Sequence, residues 1–154
     1  MNERHGVALD RILELVVVLN EDMTRSLARD GLTMSRAHVL WELQHRGPLT
    51  QRDLADALRV SARNITGLVD GLVATGFVTR EPHPTDRRAT LVSFTEHGAA
   101  TAATLARDQQ GFATLLFGQM SEHRFDCFVA GLDEVLARLR EVGVHLSSTE
   151  EEKT

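Results

Sequence analysis

Apolar residues along the chain recur mostly at helical spacing, and they divide it into six helical stretches and one hairpin. Leu9, Ile12, Leu13, Val16, Val17, Met23 and Leu27 fall three and four residues apart, which predicts an amphipathic helix over 8–28 with a broad apolar face. The run "DGLTMS" interrupts it. Ser35 reads as the cap of a second helix, which carries Val39, Leu40, Trp41 and Leu43 and ends near "HRGP". Thr50 reads as an N-cap with Asp53 at the third helical position, a capping-box pattern, and Leu49 and Leu54 are spaced as a hydrophobic staple. That helix is short and ends at Leu58. Arg59 and Val60 form a tight turn, and Ser61 caps a further helix whose buried stripe is Ile65, Leu68, Val69, Leu72 and Val73. Gly76 stops it.

The period then changes. "FVTRE" (77–81) and "ATLVSF" (89–94) are short and β-prone, and a polar loop with two prolines separates them, which predicts a hairpin. Thr95 caps a long Ala-rich helix reaching Gly118. Ser121 caps a last one, with Phe125, Phe128, Val129, Leu132, Val135, Leu136 and Leu139 on its apolar side. The tail over 147–154 is polar and charged and is expected to be disordered. The fold class is therefore mainly α with a small β-hairpin wing. A helix, a tight turn, a capped helix and a hairpin make a winged helix-turn-helix.

Charge sharpens this picture. The chain is acidic, with a net charge of -5, yet 45–90 holds seven arginines against five acids, a local +2. The rest carries -7, and the only lysine is Lys153. Arginine forks match phosphate and guanine. On the second helix of the pair, the face opposite the apolar stripe is short and polar: Ala62, Arg63, Asn64, Thr66 and Gly67, followed by Asp70. Short residues let a helix axis approach a major groove. Arg63 suits guanine, Asn64 suits adenine, and Ser61 with the free amides of the helix start suits phosphate. Asp70 would repel phosphate and is expected beyond the DNA edge. Thr50, Gln51 and Arg52, where the first helix of the pair begins, are candidate contacts to the DNA backbone. In the wing, Arg80, His83, Asp86, Arg87 and Arg88 are the candidates. The arginines suit a minor groove or phosphate. Asp86 is expected to accept hydrogen bonds from the Arg88 guanidinium or from the loop backbone. His83, Pro82 and Pro84 stiffen or cap the loop.

"LTQRDLADAL", "SARNITGLVDGLVATGFVTR" and "DRRATLVSFTEHG" resemble the MarR family of bacterial transcriptional regulators over about 33–98. The resemblance implies a homodimer that binds double-stranded DNA at a pseudo-palindromic operator. A dimerisation helix over 8–30 and two more over 99–143 would flank the DNA-binding domain at 33–98. Arg88 matches the family's wing arginine and is assigned to the minor groove, with Arg87 at phosphate or in solvent. Family members are mostly repressors that respond to a small aromatic or apolar acid, which points here to Arg11, Met34, His38 and Trp41 as candidate effector lining. Trp41 suits core packing as well, and His38 a surface or interface position. Oxidation-sensing relatives carry a reactive cysteine near the N-terminus. The one cysteine here, Cys127, lies in the last helix and reads as a small buried hydrophobe.

Other classes find less support. The seven histidines are scattered with no HxxxH pair, so no metal and no cofactor is expected. No catalytic triad motif, phosphate loop or GxGxxG pattern suggests an enzyme. No apolar run approaches a membrane span and no signal peptide is legible, so a cytoplasmic protein is expected. The alternative to a ligand-responsive DNA-binding repressor is a winged-helix module that binds protein.

Overall fold

The computed structural model describes residues 3–151, with side chains described for 3–143. Among the described residues, six helices and three strands follow in order: α1 (Glu3–Arg29), α2 (Met34–Arg46), β1 (Leu49–Thr50), α3 (Gln51–Leu58), α4 (Ala62–Ala74), β2 (Val78–Pro82), β3 (Thr90–Phe94), α5 (Glu96–Phe117) and α6 (Glu122–Glu151). The chain divides into two compact units, 1–106 and 107–154. No helix among the described residues is long and apolar enough to cross a membrane.

In the first unit, the core gathers one stripe from each short helix. Val39, Leu40 and Leu43 of α2, Leu54 of α3, and Ile65, Val69 and Leu72 of α4 are buried against Phe77, Val78 and Val92 at the base of the sheet. Burial of side chains this size contributes roughly 1.5–3 kcal/mol each. The α4 stripe is narrower than its periodicity suggests: Leu68 is half-buried and Val73 is exposed. Only the end of α1 joins this core, through Leu27, with Leu32 following in the turn.

The caps follow side-chain chemistry. Thr50 Oγ1 accepts from the Asp53 amide at 3.1 Å, and Asp53 returns a carboxylate oxygen to the Thr50 amide at 3.4 Å, closing the capping box. Ser61 Oγ accepts from the Asn64 amide at 3.1 Å. At the start of α2 the cap is Thr33 rather than Ser35. Thr33 has the extended backbone of a cap (φ -99, ψ 164) and accepts from the Arg36 amide at 3.3 Å, which places Ser35 inside the helix. Arg59 ends α3 in the left-handed region at φ 54, and Val60 reaches back to the Ala55 carbonyl at 3.0 Å. This makes the tight turn of the helix pair.

Gly76 ends α4 at φ 81. Its amide bonds the Val73 carbonyl while the Phe77 amide bonds that of Leu72, and Leu72 and Phe77 meet in the core. The chain then enters a sheet with one strand more than the hairpin the sequence suggests. β3 lies centrally, antiparallel to β2 on one side and to two-residue β1 on the other, with Val92 opposite both Arg80 and Leu49. β1 is too short to carry a period-two signal. Pro82 sits on edge strand β2, where a missing amide is tolerated.

Thr95 caps α5 through the Gly98 amide and also donates its hydroxyl to the Gly76 carbonyl at 2.6 Å. Gly98 is buried, and a Cβ there would overlap the Phe77 carbonyl oxygen. That carbonyl already accepts from the Thr95 amide at 3.1 Å, so it cannot move freely.

In the second unit, α6 continues through Glu151, into the segment expected to be disordered, and 152–154 lie outside the described residues. Phe117 packs its ring against Phe125 and Phe128 at 5.6 and 5.8 Å between centroids. Cys127 is exposed rather than buried. Its neighbours Phe128 and Val129 are also more than a third exposed, so this helix surface is one that the single chain leaves open.

Gly98→Ala is expected to destabilise the first unit by about 1–3 kcal/mol, as overpacking does. Urea denaturation followed by circular dichroism checks this. An unchanged midpoint would show that the turn before β2 has room to shift.

Candidate nucleic-acid interface

The surface of α4 follows from its buried stripe. With Ile65, Val69 and Leu72 turned inward, Ser61, Ala62, Arg63, Asn64, Thr66, Gly67 and Asp70 are all exposed. The Arg63 guanidinium makes no hydrogen bond or ion pair with the described residues. Gly67 sits mid-helix, and a Cβ there would meet nothing within 4 Å. Packing within the chain therefore does not require glycine at this position, although glycine in a helix costs about 1 kcal/mol relative to alanine.

Three of the residues expected to reach DNA also bind one another. Arg80 of β2 donates from Nε to Gln51 Oε1 of α3 at 2.7 Å. Its Nη2 reaches Asp70 Oδ1 of α4 at 2.5 Å and the Thr66 carbonyl at 3.4 Å. Gln51 Nε2 donates to Thr66 Oγ1 at 3.3 Å, and that hydroxyl donates to the Ala62 carbonyl at 2.8 Å. One guanidinium thus ties together the first helix of the pair, the second helix and the wing. Asp70, expected to lie beyond the DNA edge, is the anion of this clasp. Asp70 and Arg80 are ten positions apart in sequence, and no local spacing signals the pair.

Thr50 is half-buried and spends its hydroxyl on the capping box, while Arg52 is exposed. In the wing loop, Asp86 Oδ1 accepts from the backbone amide of Arg88 at 3.0 Å. Of the two expected uses of Asp86, the contact to loop backbone is the one formed. The side chains of Arg87 and Arg88 are exposed and make no ion pair with the described residues. Two sources of positive charge, the start of α4 and the wing tip, are thereby left open to solvent. Loop amides and acids occupied within the chain hold the wing between them.

The candidate effector residues are less closely connected. Arg11 pairs with Glu14 on its own helix at 2.6 Å. Met34 packs on the core. His38 and Trp41 lie on one exposed side of α2, with Trp41 43% exposed rather than in the core. The Trp41 indole donates to His45 Nε2 at 3.0 Å, a partner its spacing of four residues permits. No hydrogen bond or ring contact among the described residues joins Arg11 to the other three.

Residues 32–90 match the sequence model of the MarR family, a span from the turn before α2 to the first residue of β3. A helix-turn-helix-type transcriptional regulator of Mycobacterium tuberculosis is 30% identical over 110 residues, which cover 71% of this chain and 77% of that protein. The chain belongs to the MarR family. The transcriptional repressor YetL of Bacillus subtilis is likewise 30% identical, over 79% of this chain and 74% of its own length. The fold is also that of FabT from Streptococcus pneumoniae, solved in complex with DNA. FabT matches with a TM-score of 0.77 over 92% of this chain and 99% of that one, at 19% identity. As a MarR-family member the chain is a DNA-binding transcriptional regulator and not an enzyme.

A double-mutant cycle with Asp70→Ala and Arg80→Ala is expected to give a stability coupling of about 0.2–1 kcal/mol that shrinks as salt is added, because Asp70 is 61% exposed. Strictly additive effects in urea denaturation would show that the pair does not join α4 to β2.

Proposed function

We propose that the chain is a sequence-specific repressor that binds a pseudo-palindromic operator as a homodimer and is released by a small aromatic or apolar acid. The observation that carries the DNA-contact assignment is the pair of uncompensated surfaces, the Arg63–Gly67 side of α4 and the Arg87–Arg88 wing tip. The α4 start would enter the major groove, with Arg63 and Asn64 at base edges. Gly67 would allow close approach, and Arg88 would reach the minor groove. Ser61, Ala62 and the helix-start amides would lie nearest phosphate, with Arg52 on the backbone. Gln51, Thr66 and Arg80, engaged with one another, would act by keeping the two reading elements in register.

Dimerisation is supported by what a single chain leaves uncovered. Leu13, Val16 and Val17 of α1 are each 55–58% exposed, and Phe125, Val135, Leu136 and Leu139 of α6 are also open. Apolar residues repeated along a helix and left open in this way mark an interface. Repression rather than activation follows YetL, which is named a repressor. The acid effector follows the family resemblance, with His38 and Trp41 as its exposed candidates.

Fluorescence-anisotropy titration with duplex from upstream of the protein's own gene tests the DNA contacts. Arg88→Ala should weaken binding and lower the salt slope by about one unit. Asp86→Ala should also weaken it, although it removes a negative charge, because the Arg88 amide loses its acceptor. Gly67→Ala should raise stability by up to about 1 kcal/mol yet weaken binding. Tighter binding by Asp86→Ala would overturn this reading of the loop. Benzoic and phenolic acids added to the same titration test release, and a full set without effect at millimolar concentration would remove that part. Sedimentation velocity should give twice the 17.1 kDa chain mass, and a monomer at micromolar concentration would contradict the dimer.

A further inference from the structure

The loop between β2 and β3 is closed by an aromatic ring nitrogen. His83 Nδ1 accepts from the backbone amides of two successive non-proline residues, Thr85 at 3.2 Å and Asp86 at 3.1 Å, and the Thr85 hydroxyl lies 3.3 Å away. The His83 amide donates to the Ala89 carbonyl at 3.2 Å across the mouth of the loop. Within it, the Ala89 amide bonds the Asp86 carbonyl at 3.1 Å, and the Arg88 amide bonds the Asp86 carboxylate. Pro84 has no amide to satisfy. The amides of Thr85, Asp86, Arg88 and Ala89 thus all have acceptors, and two of the four depend on one atom of His83.

An imidazole nitrogen accepts only when it carries no hydrogen, so the ring proton of His83 resides on Nε2. We propose that His83 is a positioning residue of the wing: its Nδ1 holds the loop closed and sets Arg87 and Arg88 in place before DNA arrives. This rests on the DNA-binding reading above. No residue of the loop belongs to the apolar core or is among the apolar side chains packed on it, and these bonds hold its backbone. A loop already held in its binding arrangement loses less conformational freedom on association.

The atom can be tested by substitution. His83→Asn would place an amide oxygen close to the position of Nδ1, whereas His83→Gln would carry its oxygen one bond further out, near the position of Nε2. His83→Ala and His83→Gln are expected to weaken binding to the upstream duplex by about tenfold, on the order of two lost hydrogen bonds. His83→Asn should stay within about twofold of the wild type, and all three should keep the wild-type melting temperature. Backbone amide exchange at Thr85 and Asp86 in the free protein, read by NMR, should be slow in the wild type and His83→Asn and fast in the other two. If His83→Gln bound like the wild type while His83→Asn did not, the histidine would touch DNA through Nε2 and the proposal would be overturned. Equal amide exchange in all four proteins would overturn it too. If the wild type bound no duplex while the exchange pattern held, the DNA-binding reading would fail and the loop anchor would stand.

Discussion

What the protein presents to its surroundings depends on the inward clamp of α4. Ile65, Val69 and Leu72 are almost fully buried against the other short helices and the base of the sheet. A helix held along one stripe cannot rotate about its axis without exposing that stripe. Arg63, Asn64 and Gly67 therefore point outward for the same reason that Val69 points inward. The cap at Ser61 and the glycine turn at Gly76 set the two ends of the segment so clamped. Everything that the helix could offer a groove is decided by hydrophobic burial on its other side.

Polar bonds then position the wing relative to α4. The wing is joined to the helix pair at its base through Arg80, which reaches Gln51, Thr66 and Asp70. It is shaped at its tip by His83 and Asp86, which take up loop amides. Two acids in a region suited to a polyanion look unfavourable when counted as charges. Asp70 meets a guanidinium and Asp86 meets an amide, so each is partly compensated inside the protein. The arginines at the wing tip carry no such compensation and remain available.

The long helices behave differently. α1 and α6 keep apolar side chains in solvent along much of their length, while the short helices bury theirs. A helix with a wide apolar stripe is stable in water only when something covers it. Exposed Cys127 belongs to the same circumstance, since a small apolar side chain on an uncovered helix stays accessible. In the proposed homodimer, a second copy of the chain would supply the missing cover.

The sequence by itself determined most of the elements. Helical periods, the capping box at Thr50, the cap at Ser61 and the stop at Gly76 are local signals carried by neighbouring residues. The winged motif and the family were legible from them. The Asp86 contact was half legible, because an acid two residues before Arg88 had two local partners and only the backbone one formed. Thr33 and Ser35 are both good caps by residue type, and the extended backbone at Thr33 decides between them, starting the second helix two residues earlier than Ser35 would. Tertiary structure alone decided the rest. It added β1, whose two residues are too few for a period, and put Val73 and Trp41 at the surface. It brought Asp70 to Arg80, and Phe77 over Gly98. Such contacts join residues far apart in sequence, and they form only after burial has set each helix's rotation. No spacing along the chain could have announced them.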